Sequence, residues 1–169
     1  IGTSGGGLIR IRKRRVTMLT KADGLSVSGI TAIIEDRQRN VWVGTGKGLC
    51  RSIPKEIASA NQNKKLACAG NWDVAALYVD KAGQVWVGKN KGIARFRDGK
   101  WTEYQLAGIR RVSSILEDRN GQMWLGTDSG LAQFRDGQIV KLHRQEDGLV
   151  HNQVVFLMEG RAGALWIGT

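Results

Sequence analysis

Residues 115–134 read ILEDRNGQMWLGTDSGLAQF, and the same pattern returns as IIEDRQRNVWVGTGKGLCRS from Ile33, LYVDKAGQVWVGKNKGIARF from Leu77 and LMEGRAGALWIGT from Leu157. The chain opens on Ile1-Gly2-Thr3, the tail of one more copy. The glycine that follows each tryptophan sets the phase: Gly2, Gly44, Gly88, Gly126 and Gly168 lie 42, 44, 38 and 42 residues apart. A period near forty outranks every other signal in the chain.

Within one unit, apolar and polar residues alternate over short runs bounded by glycine-containing turns, which is the two-residue period of strands. Strand A is expected at Ile30–Glu35, Val74–Val79, Val112–Glu117 and 154–159. The turn after it reads Asp118-Arg119-Asn120-Gly121 or Asp80-Lys81-Ala82-Gly83, with the aspartate capping backbone amides and the glycine in the left-handed position. Strand B follows at 122–127 in that copy, strand C at 131–135, and Asp136-Gly137 then supplies the dipeptide preferred by a tight hairpin before strand D, Gln138–His143.

Four antiparallel strands repeated in tandem predict an all-β chain of β-propeller blades, about four units. The expected division is 1–29 for the end of one blade, 30–73, 74–111 and 112–153 for three blades, and 154–169 for the start of the next. The piece reads as an open arc of a larger propeller. Trp42, Trp86, Trp124 and Trp166 recur at one position and are expected to fill the space between blades, with Gly44, Gly88, Gly126 and Gly168 as the other repeat markers.

The net charge is +11. Arg10, Arg12, Lys13, Arg14 and Arg15 form its one dense cluster, placed by the repeat on an outer C–D hairpin, a poor position for reading a nucleic-acid groove. Arg37, Lys81, Arg119 and Arg161 recur just after strand A and read as a repeated surface feature. Non-specific attraction to phosphate is all that such charge gives, so nucleic acid is not the expected partner. Cys50 and Cys68 flank the longest insertion, 52–65; they form a staple between strands C and D in an oxidising compartment or remain free thiols otherwise. No apolar run reaches the roughly 18 residues of a membrane span.

Catalytic, cofactor and metal constellations are not expected. His143 and His151 are the only histidines and lack ligands at metal spacing. Glu35-Asp36 and Glu117-Asp118 recur in register with the repeat, as turn residues do. Gly5-Gly6-Gly7 and the run 44–48 lie between strands, where a phosphate loop would need a following helix.

Residues outside the repeat carry the expected site. In a propeller, the D–A and B–C loops open on one face, the usual place for a ligand. Asn71, Trp72 and Asp73 suit stacking on a sugar ring or a base. Arg110 and Arg111 suit a carboxylate or sulfate, and His151 and Asn152 lie on the next such loop. Packing for the tryptophan and solvation for the arginines is the simpler account.

The pattern I-x-E-D-x-x-G-x-x-W-x-G-T-x-x-G-L, preceded by Asp23-Gly24-Leu25 and Asp147-Gly148-Leu149, resembles the two-component regulator propeller repeat. Gly160 in place of the turn Asp, Arg39 in place of the turn Gly, and Lys89 in place of Thr depart from it. The resemblance implies the extracytoplasmic, periplasmic sensor propeller of a membrane-anchored, homodimeric bacterial receptor whose output domain is a histidine kinase or diguanylate cyclase. Its ligand would be small, an oligosaccharide or an anion, and membrane attachment would lie elsewhere in the chain. A non-catalytic scaffold for other proteins is the alternative. A propeller lyase would need a charged cluster with a base at the channel mouth.

Overall fold

A computed structural model describes residues 2–3, 7–12, 15–19, 25, 29–52 and 67–169. The chain forms two compact units, Ile1–Val74 and Ala75–Thr169. Among the described residues the regular structure is β-strand, apart from a 3-10 turn at Gln145–Asp147.

The first unit contains two antiparallel sheets. β1 (Gly2–Thr3), β2 (Gly7–Arg12) and β3 (Arg15–Leu19) pair in that order, and Arg12 opposes Arg15, so the basic cluster does straddle a hairpin. Its Lys13 and Arg14 lie outside the described residues, as do Gly5, Gly6 and residues 53–66 of the long insertion. The second sheet is β4 (Ile30–Glu35), β5 (Val41–Thr45), β6 (Gly48–Ser52) and β7 (Ala67–Ala69). Cys50 opposes Cys68 across β6 and β7, and the two are joined in a disulfide, so of the two sequence readings the staple holds. Leu25, Val43 and Cys50 form the buried core beside this sheet.

The second unit holds β8 (Val74–Val79, its first residue in the other unit), β9 (Val85–Lys89), β10 (Gly92–Arg97) and β11 (Lys100–Gln105). The next sheet is β12 (Val112–Glu117), β13 (Met123–Thr127), β14 (Gly130–Arg135) and β15 (Gln138–His143). A two-stranded sheet, β16 (Phe156–Glu159) and β17 (Leu165–Gly168), follows. Each is a simple antiparallel meander. The β10–β11 and β14–β15 turns put both Asp98 (φ 49°) and Gly99 (φ 78°), and both Asp136 (φ 51°) and Gly137 (φ 90°), in the left-handed region that a two-residue hairpin requires.

Strand A of the last copy is assigned from Phe156, where Phe156 opposes Gly168. Val155 donates its N–H to the Gly168 carbonyl at 2.9 Å, and Val154 donates back to the Thr127 carbonyl of the preceding sheet at 2.8 Å. Sequence alternation cannot distinguish these two uses of an extended residue.

Sheets stack by close approach at the strand-B glycine. A Cβ at Gly88 would stand 2.6 Å from the Val112 carbonyl oxygen, and one at Gly126 would stand 2.9 Å from Val154 Cγ1 and 3.0 Å from its carbonyl oxygen. Around this contact, Trp86, Ile93, Val112, Ile115, Leu125 and Phe134 are buried in one core. Each large apolar side chain so buried stabilises by about 1.5–3 kcal/mol before the entropy of ordering it is subtracted.

Candidate functional site

The strongest local constraint lies within each blade. Asp36 Oδ1 accepts the Asn40 N–H at 2.8 Å and its Oδ2 accepts the Trp42 indole N–H at 2.8 Å. Asp80 holds Gln84 and Trp86 in the same way, and Asp118 holds Gln122 and Trp124. The turn aspartate therefore does more than cap the turn: it clamps the repeat tryptophan. Burial pushes the Asp36 carboxyl up, but the bonds from the Asn40 side chain, Trp42 and the Asn40 backbone outweigh it and leave the group below the usual carboxylate range.

The departures from the repeat show what each position does. Arg39 adopts the left-handed conformation (φ 65°) that glycine takes at position 83 (φ 82°), and Asn40 adds a side-chain bond to Asp36 at 2.8 Å. Gly160 offers no carboxylate. There Trp166 Nε1 stands 2.8 Å from where a Cβ would be, in the space a turn aspartate takes in the other copies. Thr45 and Thr127 bond the Gly48 and Gly130 carbonyls, whereas Lys89 is buried and reaches Glu103 at 3.1 Å.

Two of the recurrent basic residues lie on the surface, as the repeat suggests, and also make specific bonds there. Lys81 donates its N–H to Glu117 Oε2 at 2.7 Å and its Nζ to the Asp118 carbonyl at 2.6 Å. Arg119 donates Nε to Glu159 Oε1 at 2.6 Å, its N–H to Oε2 at 2.9 Å and Nη2 to the Gly160 and Arg161 carbonyls. These side chains tie one blade to the turn of the next, and the glutamates beside the turn aspartates are their acceptors.

At the other end of the blades, the loop after β11 is stitched to both neighbouring B–C turns. Lys91 N–H bonds the Arg110 carbonyl at 2.9 Å, Asp128 N–H bonds the Arg111 carbonyl at 3.2 Å, and Ser129 Oγ bonds the Gly108 carbonyl at 3.1 Å. Asp128 accepts the Arg110 and Arg111 N–H groups on Oδ1 and Arg110 Nε on Oδ2 at 2.7 Å. Burial raises the Asp128 carboxyl, but the Arg110 side chain and the two amides pull it below its ordinary value. Arg110 thus already carries an internal carboxylate, while its side chain is 89% exposed. Arg111 reaches Asn90 Oδ1 at 3.3 Å. Asp128 is the residue that sequence reasoning missed here; its signal was an acid on the B–C turn facing two arginines.

The remaining site residues lie on separate loops. His151 Nδ1 accepts the Gln153 N–H at 3.0 Å and Asn152 Oδ1 accepts the Gln145 N–H at 2.8 Å, so both organise their own loop. In the first unit, half-buried Trp72 lays its ring over Gly70, where a Cβ would stand 2.8 Å from Cδ2; Asn71 is exposed and Asp73 half-buried. Among the described residues, no group of three or more His, Cys, Asp or Glu is arranged to hold a metal, and no helix is long and apolar enough to cross a membrane.

Four-stranded antiparallel blades of this kind define a β-propeller. Residues 24–47 and 107–129 match the family described as Two component regulator propeller. It superposes on the extracellular domain of a one component system from B. thetaiotaomicron with a TM-score of 0.82 at 24% identity, covering 98% of this chain and 24% of that one. The extracellular domain of a hybrid two component system from the same organism gives 0.77 at 22%, covering 99% and 24%. Virginiamycin B lyase from Staphylococcus aureus, in its catalytically inactive H270A form with quinupristin, gives 0.67 at 16%, covering 90% and 52%. At these identities the likeness speaks for the fold. The chain spans about a quarter of the length of the first two. A comparison with curated proteins gave no match.

Proposed function

We propose that this chain is part of the extracytoplasmic ligand-sensing propeller of a bacterial signal-transduction receptor. The observation that carries the reading is the match of two stretches to the two component regulator propeller. The Cys50–Cys68 disulfide supports it, since such bonds persist in oxidising compartments outside the cytoplasm. In the second unit the candidate ligand face is the D–A and B–C loop end, where exposed Arg110 suits an acidic group; in the first unit Trp72 suits a flat ring. Ligand binding there favours one arrangement of paired propellers and so biases a membrane-linked kinase or cyclase, a shift in population rather than catalysis. Among the described residues of this face, His151 Nδ1 accepts the Gln153 N–H and Asp128 is held by two arginines, so neither stands as a free base for a lyase reading.

The test is a transcriptional reporter in cells carrying the full-length gene, challenged with neutral and acidic oligosaccharides. Induction that Arg110→Ala or Trp72→Ala abolishes, with normal protein levels, supports the reading. Induction unchanged in both variants removes the ligand face, and a cytoplasmic location of the propeller removes the reading altogether.

A further inference from the structure

The end of the second unit opposite those loops carries an open crevice of about 500 Å³ between the sheets β8–β11 and β12–β15. Its volume falls in the range of small-molecule sites. Trp86, Arg95 and Tyr104 wall one side, and Phe134, Asn120 and Asp136 are among the residues on the other. The aromatic rings form one packed group: Trp86 and Tyr104 stack at 6.0 Å, and Phe134 meets both edge-on at 5.8 and 5.4 Å.

Several polar groups of the walls are already engaged. Trp86 Nε1 is held by Asp80, while Gln122 Nε2 bonds the Met123 and Phe134 carbonyls and Gln122 Oε1 accepts from Arg135. Arg95 is different. Its guanidinium carbon lies 5.6 Å from the Trp86 ring centroid and 5.7 Å from that of Tyr104, Nε is buried without a hydrogen-bond partner, and its terminal amino groups have no protein acceptor among the described residues. A guanidinium flanked by two rings is fixed in place and partly stripped of water, so its remaining donors are well placed for a planar anion. Carboxylates match that fork in two parallel bonds.

Covering a tryptophan is part of what the repeat asks of this arginine. Arg51 stands at the equivalent place, 5.1 Å from the Trp42 ring. The second ring sets Arg95 apart. Tyr104 opposes Ile93, and the equivalent Leu49 is opposed by Ala69. Gly137, which the hairpin needs, also keeps the crevice open over that ring, since its Cβ would stand 3.2 Å from Tyr104 Cδ1 and Cε1.

We propose that this crevice binds a small carboxylate carried on a six-membered ring, with the carboxylate on Arg95, one ring face on Tyr104, and Asn120 and Asp136 at the rim taking ring hydroxyls where the ring has them. The site is distinct from the loop face and does not rest on the sensory reading. The test is calorimetric titration of the full-length protein with glucuronate and benzoate, against acetate and glucose as probes lacking the ring or the charge. A ring carboxylate is expected to bind at least about tenfold tighter than either control and to lose about that factor in Arg95→Met, which keeps the covering stem without the charge. Weakening of glucuronate alone by Asp136→Asn assigns a hydroxylated ring; benzoate binding without glucuronate assigns an aromatic one. A second readout needs no variant and so is independent of any folding defect in Arg95→Met: the wild-type indole NMR signals are followed, and Trp86 must shift on titration while Trp124 must not. Ring carboxylates no tighter than acetate, an unaffected Arg95→Met, or an unmoved Trp86 signal overturns the proposal.

Discussion

Asp80 Oδ2 accepts the Trp86 indole N–H at 2.7 Å while Asp80 Oδ1 accepts the Gln84 N–H at 2.7 Å, so one carboxylate fixes both the turn and the buried tryptophan of the strand that follows it. Removing it leaves a buried indole N–H without an acceptor, a loss of about 1–3 kcal/mol. Asp80→Ala is expected to lower the unfolding free energy by that amount, read as a lower urea midpoint at unchanged slope, and Asp80→Asn by less, because the amide oxygen still accepts one bond. Equal midpoints for Asp80→Ala and the parent protein would show that the clamp contributes nothing.

Acid should act through the same aspartates. Asp36 and Asp118 are both pushed up by burial and pulled down further by hydrogen bonds, to a net value below normal. Their unfolded value is about 3.9. The unfolded chain then binds more protons than the folded one in this region, so stability rises with pH. Their contribution is present above about pH 4 and is lost as pH falls through the lower folded values. Thermal melts between neutral pH and about pH 2 check this, and Asp36→Asn is expected to flatten the acid limb.

The close approaches at the strand-B glycines differ in what they meet. A Cβ at Gly44 would lie 2.5 Å from Val74 Cγ1, a side chain, whereas at Gly88 it would lie 2.6 Å from a backbone carbonyl. Both Gly44→Ala and Gly88→Ala are expected to destabilise by about 1–3 kcal/mol. Val74→Ala should recover much of the first loss in a double-mutant cycle, while no side-chain truncation relieves the second.

Arg119 makes four bonds to the turn region at Glu159–Arg161, yet its side chain is half exposed. Solvent screening limits the ion pair to about 1 kcal/mol or less. Arg119→Ala should therefore leave the global midpoint almost unchanged but speed amide exchange in β16 and β17, an effect that Arg119→Lys cannot fully prevent because a single ammonium does not reach the same set of acceptors. Unchanged exchange in those strands would dismiss the tie.

The periodic part of the chain was legible because strand period, Asp-Gly hairpins and glycine phase are all local signals. β15 begins and ends where alternation puts it, at Gln138 and His143. Relations between blades were not legible in one unit alone. Lys81 and Arg119 looked like solvated charge until Glu117 and Glu159 were seen beside them. Arg110 looked available to an anion, and Asp128, eighteen residues further on, already occupies part of it. Arg95 was invisible as a candidate because its significance comes from Tyr104 and from a crevice that two sheets make together.

Lys81 is latched by Glu117 and Arg119 by Glu159, 36 and 40 residues downstream. In this unit two successive sheets are thus each fastened by the one synthesised after it. On the ribosome this stretch closes like a zip, each later sheet locking the one that emerged before it.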